Sequence, residues 1–211
     1  MSTQTRGRFI SLEGGEGVGK STQARALAAA LRARGIDVVE TREPGGSPGA
    51  EAIRALLLEG GADRWGPRAE ALLFAAARAD HVDRTIRPAL EAGTWVLCDR
   101  FVDSSRAYQG GADGMGGAAI MALHAIGSGG LLPDRTLLLT LPEAQALQRE
   151  AARDAGRSDR FGARDPAYHA SVVAAFRRLA EEDPARFRIV PADGEAAAVT
   201  ARLIAALEDL P

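Results

Sequence analysis

The chain is poor in lysine, in cysteine and in long apolar segments. Its 26 basic residues comprise 25 arginines and one lysine, Lys20. The single cysteine, Cys98, excludes an internal disulfide, a thiolate zinc cluster and a redox-active cysteine pair. No run of about 18 apolar residues occurs, and the first residues include no long apolar stretch, so we expect neither a secreted nor a membrane-spanning protein. These features favour a cytoplasmic protein.

An excess of charge of one sign is also lacking. The formal net charge is −2 at pH 7, whereas domains that bind long nucleic acid are usually strongly basic. Arginine clusters can still bind small anions, so small phosphorylated molecules remain candidate ligands. Hydrophobic residues make up 46% of the chain and charged residues 26%, which is ordinary for a folded globular protein. The length of 211 residues fits a single domain spanning 1–211.

Segments typical of strands alternate with segments typical of helices. The strand-like segments are 9–12, 36–41, 94–99, 135–141 and 187–190. The helical patterns are 23–35, 48–59, 67–92, 142–154 and 195–209, with a short helix between the glycine-rich stretches 110–117 and 127–130. This alternation predicts an α/β fold in which a doubly wound, five-stranded parallel sheet has helices on both faces. A polar stretch, 153–165, breaks the helical pattern and is either a surface loop or a short lid.

A glycine-rich loop lies between the first strand and the first helix. Residues Gly14 to Ser21 match G-x-x-x-x-G-K-[ST], the pattern of a phosphate-binding loop. In such a loop backbone N–H groups and the helix N-terminus surround a phosphate, the lysine bridges the β- and γ-phosphates, and the serine ligates Mg²⁺. The alternative is a glycine-rich turn that matches by chance, which the flanking strand and helix disfavour. The predicted nucleotide-binding residues are Gly14, Gly15, Glu16, Gly17, Val18, Gly19, Lys20, Ser21 and Thr22.

Other residues narrow the class of nucleotide-binding protein. A GTP-dependent switch would read guanine with N-K-x-D, which needs a second lysine, so this class is disfavoured. Asp99 and Arg100 end the third strand, at the sheet edge where ligands bind in such folds. Asp99 is placed to hold Mg²⁺ directly or through water, and Arg100 to face an anion. A structural ion pair would explain the same two residues.

Five segments are together specific enough to indicate a family. They read FISLEGGEGVGKST, TREPGGSPGAEAIRALLL, LLFAAARADHV, PALEAGTWVLCDRFVDSSRAYQGG and SDRF. In order and spacing they resemble the bacterial thymidylate kinases, and the resemblance covers nearly the whole chain, from residue 8 to residue 190. It implies a P-loop NTPase fold of the nucleoside monophosphate kinase type and transfer of the γ-phosphoryl group of ATP to dTMP. It also implies Mg²⁺ as a cofactor and a homodimeric protein.

The resemblance implies roles for residues of the acceptor site. Phe74 and Arg78 lie four residues apart on one helix face. They correspond to the residues that stack on the thymine ring and donate to its carbonyl oxygen. Arg54 and Arg100 correspond to the arginines that grip the dTMP phosphate. Without the resemblance, Phe74 would be interpreted as core packing and Arg78 as part of a solvated face.

The same resemblance assigns further residues to the deoxynucleotide pocket. Ser105 is implied to bond the base edge, and Tyr108 to close the sugar side, where a ribose 2′-hydroxyl would lie. Glu16 and Glu43 are implied to lie near the acceptor sugar and the magnesium ion. The other pocket residues are Ser104 and Gln109. Capping of a helix start is the competing explanation for the two serines.

A lid is implied to supply positive charge at the transition state. The phosphate loop contains no arginine, and kinases of the bacterial type bring the missing arginine from a lid. Arg157 and Arg160 in the segment GRSDRF are the predicted lid arginines, although such residues could also merely solubilise a loop. Gly162 replaces an acidic residue that is usual in the family. The predicted catalytic residues are Lys20, Arg100, Arg157 and Arg160.

Two other functions remain open on the sequence. A kinase for another nucleoside or deoxynucleoside monophosphate would share these motifs and differ in its preferred acceptor. A nucleotide-binding regulator or an ATPase without a small acceptor would hydrolyse ATP independently of dTMP. That second function leaves the segment SSRAYQGG and the pair Phe74 and Arg78 unexplained.

Overall fold

A computed structural model describes residues 6–61, 63–142, 144–146, 148–149, 160–162 and 164–210. Five strands form one sheet among these residues: β1 (Phe9–Glu13), β2 (Val38–Arg42), β3 (Trp95–Asp99), β4 (Arg135–Thr140) and β5 (Phe187–Pro191). The strand order is β2-β3-β1-β4-β5, and every neighbouring pair is parallel. The predicted five-stranded parallel sheet is confirmed.

Helices follow the strands. They are α1 (Lys20–Ala33), α2 (Pro48–Leu58), α3 (Pro67–His81), α4 (Arg87–Glu91), α5 (Val102–Ser105), α6 (Gly117–Ser128), α7 (Pro166–Glu182) and α8 (Ala196–Ala205). A π-helical segment, Val82–Ile86, joins α3 to α4, and a second one, Arg106–Ala112, continues α5. The predicted helix 67–92 is therefore helical throughout Pro67–Glu91, but its middle part has π-helical instead of α-helical hydrogen bonding.

Helix α7 was not among the helices predicted from the sequence pattern, although its first residues carry a recognisable N-cap. Asp165 precedes Pro166, and its side chain accepts a hydrogen bond of 2.7 Å from the backbone N–H of Tyr168. Asp at the N-cap followed by Pro at the first helical position is a common way to begin a helix. The predicted helix 142–154 and lid 153–165 lie largely outside the described residues.

The two faces of the sheet bury different side chains. Ile10 and Leu12 of β1 belong to a buried cluster with Leu27 of α1 and Leu203 of α8. Phe9, at the alternate position of the same strand, packs with residues of α3, α4 and α6 on the opposite face. Because successive side chains of a strand point to opposite faces, this alternation shows that both faces are covered. None of the helices among the described residues is long and apolar enough to cross a membrane.

The sheet brings two of the sequence motifs to the same edge. In the register of β1 with β3, Leu12 lies beside Asp99. The phosphate loop leaves β1 one residue after Glu13, and the Asp99–Arg100 pair ends β3. The carboxyl ends of adjacent parallel strands meet at one edge. The loop and the acidic residue are neighbours for this reason.

Candidate active site

The phosphate loop needs glycine at the points where its backbone turns. Gly14, Gly17 and Gly19 have φ angles of 140°, 71° and 91°, a range that other residues rarely adopt. A Cβ atom on Gly14 would lie 2.5 Å from the carbonyl oxygen of Leu139 in β4. Gly14 is therefore required both by its conformation and by the close approach of β4.

Lys20 is the first residue of α1 and lies in the concavity of this loop. Its side chain is buried, and Nζ donates to the carbonyl oxygens of Gly14 (3.1 Å) and Gly15 (2.6 Å). Burial, with the positive charge of Arg100 nearby, lowers the pKa of Lys20 to about 8. Phosphate oxygens at this position would stabilise the charged ammonium that burial disfavours.

Ser21 and Asp99 meet beside the loop. The Ser21 hydroxyl donates to Oδ2 of Asp99 at 2.6 Å. Mg²⁺ prefers oxygen ligands and is usually held by one or two protein groups together with substrate phosphates and water. A hydroxyl and a carboxylate next to a phosphate-binding loop fit that requirement. These residues, predicted as the magnesium site, are brought together.

Arg100 connects the loop to a second cavity. Its Nη1 donates to the carbonyl oxygen of Gly14 (3.1 Å) and to Oγ of Ser104 (3.1 Å), and its Nη2 donates to Glu16. The Tyr108 hydroxyl donates to the same Glu16 oxygen at 2.9 Å. Although burial opposes it, the Glu16 carboxylate raises the pKa of Arg100 above its ordinary value. Arg100 is held as a fixed, permanent cation.

The second cavity has a volume of about 120 Å³ and lies between α2, α3 and the segment that follows β3. Every predicted acceptor-site residue lines it: Glu16, Glu43, Arg54, Phe74, Arg78, Arg100, Ser104, Ser105, Tyr108 and Gln109. These residues come from four separate parts of the sequence. The structure therefore places them together, and their contacts with a nucleotide remain a prediction.

Arg78 is fixed inside this acceptor cavity by two partners. Its Nε donates to Oε2 of Glu43 (2.7 Å), and its Nη2 donates to the hydroxyl of Ser105 (2.8 Å). The other Glu43 oxygen lies 3.1 Å from Nδ1 of the buried His81. Arg54 donates to the carbonyl oxygen of Pro44. Glu43, which is predicted to lie near the sugar, therefore also orients Arg78, which is predicted to bond the base.

A groove of about 790 Å³ runs along the phosphate loop. Its lining includes six basic residues: Lys20, Arg25, Arg42, Arg54, Arg100 and Arg149. Such a surface suits a polyanion such as a nucleoside triphosphate. The groove and the acceptor cavity share four lining residues: Glu16, Glu43, Arg54 and Arg100. Two ligands bound in these sites would meet at Arg100.

The predicted lid arginines are not both described. Arg157 lies outside the described residues. Arg160 is buried and forms an ion pair with Glu70 of α3, and it lines neither the phosphate-loop groove nor the acceptor cavity. The predicted contact between Arg160 and ATP therefore stays a prediction. Gly162, two residues further on, does line the phosphate-loop groove.

Sequence reasoning missed three residues around the site. Phe161 lines the acceptor cavity, with its ring 5.7 Å from that of Phe74 in an edge-on arrangement. Glu70 accepts a hydrogen bond of 2.9 Å from Gln109 in addition to its pairing with Arg160. Glu13 ends β1 as a fully buried carboxyl. An acidic residue in an otherwise apolar strand was the available signal for Glu13, whereas Phe161 and Glu70 depend on tertiary packing.

The fold and the paired sites define a phosphate-loop kinase with a small-molecule acceptor. The sequence model of the thymidylate kinase family matches residues 12–203. The chain belongs to the thymidylate kinase family and is an enzyme of that family.

Individual relatives agree with this assignment. The chain is 71% identical to the thymidylate kinase of Rhizorhabdus wittichii, covering 97% of this chain and 98% of the relative. It is 52% identical to that of Caulobacter vibrioides, covering 94% and 95%. A crystal structure of thymidylate kinase from Ehrlichia chaffeensis superposes with a TM-score of 0.76 at 28% identity, covering 96% of this chain and 100% of the other. The similarity therefore extends over nearly the full length of these proteins.

Proposed function

We propose that this protein transfers the γ-phosphoryl group of ATP to dTMP, giving ADP and dTDP, a step of dTTP synthesis. The observation that carries the proposal is the junction of the phosphate-loop groove with the acceptor cavity at Glu16, Glu43, Arg54 and Arg100. Direct transfer requires donor and acceptor phosphates to lie in contact and in line. A shared wall with two arginines provides a place where both phosphates can be bound.

On the donor side, the proposal assigns the phosphates to the loop and to Lys20. The Lys20 ammonium, now bonded to the carbonyl oxygens of Gly14 and Gly15, would bind the β- and γ-phosphates. Ser21 and Asp99 would hold Mg²⁺, which when bound neutralises charge on the phosphate oxygens. No general base is required, because the acceptor phosphate is already ionised near pH 7.

On the acceptor side, the proposal assigns the base to Phe74, Arg78 and Ser105, and the phosphate to Arg54 and Arg100. Tyr108 is buried and donates to Glu16, so its ring closes the cavity beside the phosphate end. A ribose would have to place an additional hydroxyl against this ring. The expected preference is therefore for a deoxynucleotide.

The identity of the acceptor is tested by supplying ATP and Mg²⁺ with dTMP, dUMP, dCMP, dGMP or thymidine and measuring ADP release. The proposal predicts the highest kcat/KM for dTMP. A higher kcat/KM for another acceptor would reject dTMP as the substrate. The Phe74→Ala variant tests the contact with the base, since loss of stacking should raise the KM for dTMP without changing the KM for ATP.

We also propose that the protein is a homodimer and acts in the cytoplasm. Helix α3 packs against both α2 and α6, and each of these helices carries an exposed apolar side chain: Leu56 (40% exposed), Leu72 (56%) and Ile126 (86%). A contiguous apolar patch is a common feature of a protein interface, and these three side chains are the proposed dimer contacts. A cytoplasmic location is supported by the single, buried cysteine.

A further inference from the structure

Glu13 is a buried carboxyl that touches neither ligand cavity. It is the last residue of β1 and is fully buried. Its Oε1 lies 2.7 Å from the backbone N–H of Phe101, and its Oε2 lies 2.6 Å from Oγ of Ser104. It lines neither the phosphate-loop groove nor the acceptor cavity. A carboxyl at such a depth is unfavourable unless its hydrogen bonds serve the surrounding structure.

Those hydrogen bonds surround a strained residue. Arg100 has a φ angle of 70°. No other non-glycine residue in the described part of the chain has a positive φ angle. This conformation is disfavoured by about 1 kcal/mol for a residue with a Cβ atom. The N–H of Arg100 donates to the carbonyl oxygen of Leu12 (3.0 Å), and the next N–H donates to Glu13. Two consecutive residues of β1 therefore hold the peptide groups on both sides of the strained residue.

The same carboxyl also fixes the end of the Arg100 side chain. Ser104 accepts a hydrogen bond from Nη1 of Arg100 at 3.1 Å, and its own hydroxyl donates to Oε2 of Glu13 at 2.6 Å. Glu13 is therefore linked to Arg100 through the backbone at Phe101 and through the side chain at Ser104. An apolar residue at position 13 would leave the Phe101 N–H buried without an acceptor.

We propose that Glu13 is a positioning residue for phosphoryl transfer, which holds Arg100 in its left-handed conformation with the guanidinium between the two ligand cavities. This inference rests on the proposed function, because it assigns Arg100 to the phosphates there. A displacement of about 1 Å in such a group can reduce turnover about 100-fold.

The charge state of Glu13 indicates which substitution conserves its role. Burial and the nearby Asp103 carboxylate raise the pKa of Glu13 to about 8, against the opposing effects of Ser104, Arg100 and the Phe101 N–H. In the neutral carboxyl favoured at pH 7, one oxygen accepts from the Phe101 N–H and the other forms the hydrogen bond with the Ser104 hydroxyl, in which the carboxyl O–H is then the donor. Glutamine reproduces that pair at the same length, whereas methionine has similar size and offers neither.

The experiment is a double-mutant cycle between position 13 and Arg100, with steady-state kinetics for dTMP and ATP at pH 7. Glu13→Met should lower kcat about 100-fold and raise the KM for dTMP, while Glu13→Gln keeps kcat near that of the wild type. In an Arg100→Ala background, Glu13→Met should cause no further loss, because its effect acts through Arg100. Ser11→Ala, which removes a buried hydroxyl from the same strand, should leave kcat unchanged.

The outcomes separate this inference from the proposed function. Independent, multiplicative losses from Glu13→Met and Arg100→Ala would overturn the positioning role, as would unchanged kcat in Glu13→Met. Absence of dTMP phosphorylation by the wild type would instead reject the proposed function. If Glu13→Met does not fold, Glu13→Asp takes its place in the same cycle, since a side chain one methylene shorter cannot reach both Phe101 and Ser104.

Discussion

Lys20 occupies a slot that suits an ammonium group and not a guanidinium. Its Nζ lies within hydrogen-bonding distance of two carbonyl oxygens of the loop, in a buried position. Arginine is broader and presents its donors in a planar fork. A chain with 25 arginines can therefore dispense with lysine at its other basic positions and still require it at this one.

The Lys20→Arg variant tests this interpretation. We expect kcat to fall by about 100-fold or more although the positive charge is retained, because the guanidinium cannot enter the loop in the geometry of the ammonium. Arg34→Lys, at the exposed end of α1, is the reverse exchange away from the site and should leave kcat unchanged. Near-normal kcat in Lys20→Arg would show that the slot does not select for lysine.

Lys20 should also link nucleotide binding to proton uptake. Its pKa is lowered to about 8 without nucleotide, and bound phosphates favour the charged form. Above pH 8 the free enzyme carries a neutral amine there, so ATP binding must recruit a proton and the affinity for ATP should fall as pH rises.

Titration calorimetry at pH 9 in two buffers of different ionisation enthalpy measures this uptake. The apparent binding enthalpies should differ in the wild type and agree in Lys20→Ala. Equal enthalpies in the wild type would contradict the lowered pKa. With Mg²⁺ present to keep the ATP phosphates ionised, the difference should become small at pH 6.5, where Lys20 is already charged.

At the scale of helices and strands, the sequence predicted the sheet well because buried parallel strands leave short apolar segments bounded by turns. The start of β2 was placed at 36 and lies at Val38, a difference within the usual uncertainty of strand ends. The π-helical segments Val82–Ile86 and Arg106–Ala112 could not be predicted. Composition gives no signal for them, since their hydrogen bonding is set by packing between helices.

The residues of the candidate site could be predicted where they belong to recognisable sequence motifs. Residues 16–22 of the phosphate loop line the groove, whereas Gly14 and Gly15 do not. The SSRAYQGG segment contributes Ser104, Ser105, Tyr108 and Gln109 to the acceptor cavity. The position of Arg160 could not be predicted from the sequence, because its ion pair with Glu70 joins segments separated by 90 residues. The link from Glu13 to Ser104 likewise depends on the meeting of β1 with the end of β3.

The ion pair between Arg160 and Glu70 predicts that Arg160 contributes to the stability of the fold. Removing one partner of a buried ion pair destabilises a fold by about 3 kcal/mol, so Arg160→Ala should lower the free energy of unfolding measured in urea. Arg157→Ala should reduce kcat more than it changes the KM for dTMP.

The paired variant provides the control for that prediction. Glu70→Leu combined with Arg160→Met removes both charges, and its free energy of unfolding should exceed that of Arg160→Ala alone. An Arg160→Ala variant as stable as the wild type would show that the ion pair contributes nothing to the fold.

At the scale of the whole molecule, the exposed apolar residues of α2, α3 and α6 predict self-association. Light scattering with size exclusion should give twice the chain mass of 22.1 kDa. The double variant Leu72→Arg, Ile126→Arg should give the monomer mass, because like charges would face each other across the interface. Val173→Arg, at an exposed apolar position on α7, is the control and should remain dimeric. A monomeric wild type would reject the homodimer.

In the proposed reaction a phosphoryl group passes directly between two sites that share Glu16, Glu43, Arg54 and Arg100. The most direct measurement follows the label from [γ-³²P]ATP in the presence and absence of dTMP. Direct transfer predicts one labelled dTDP for each ADP formed, with ADP formation strongly dependent on dTMP. Labelled inorganic phosphate formed at the same rate without dTMP would contradict it, and would instead indicate an ATPase without a small-molecule acceptor.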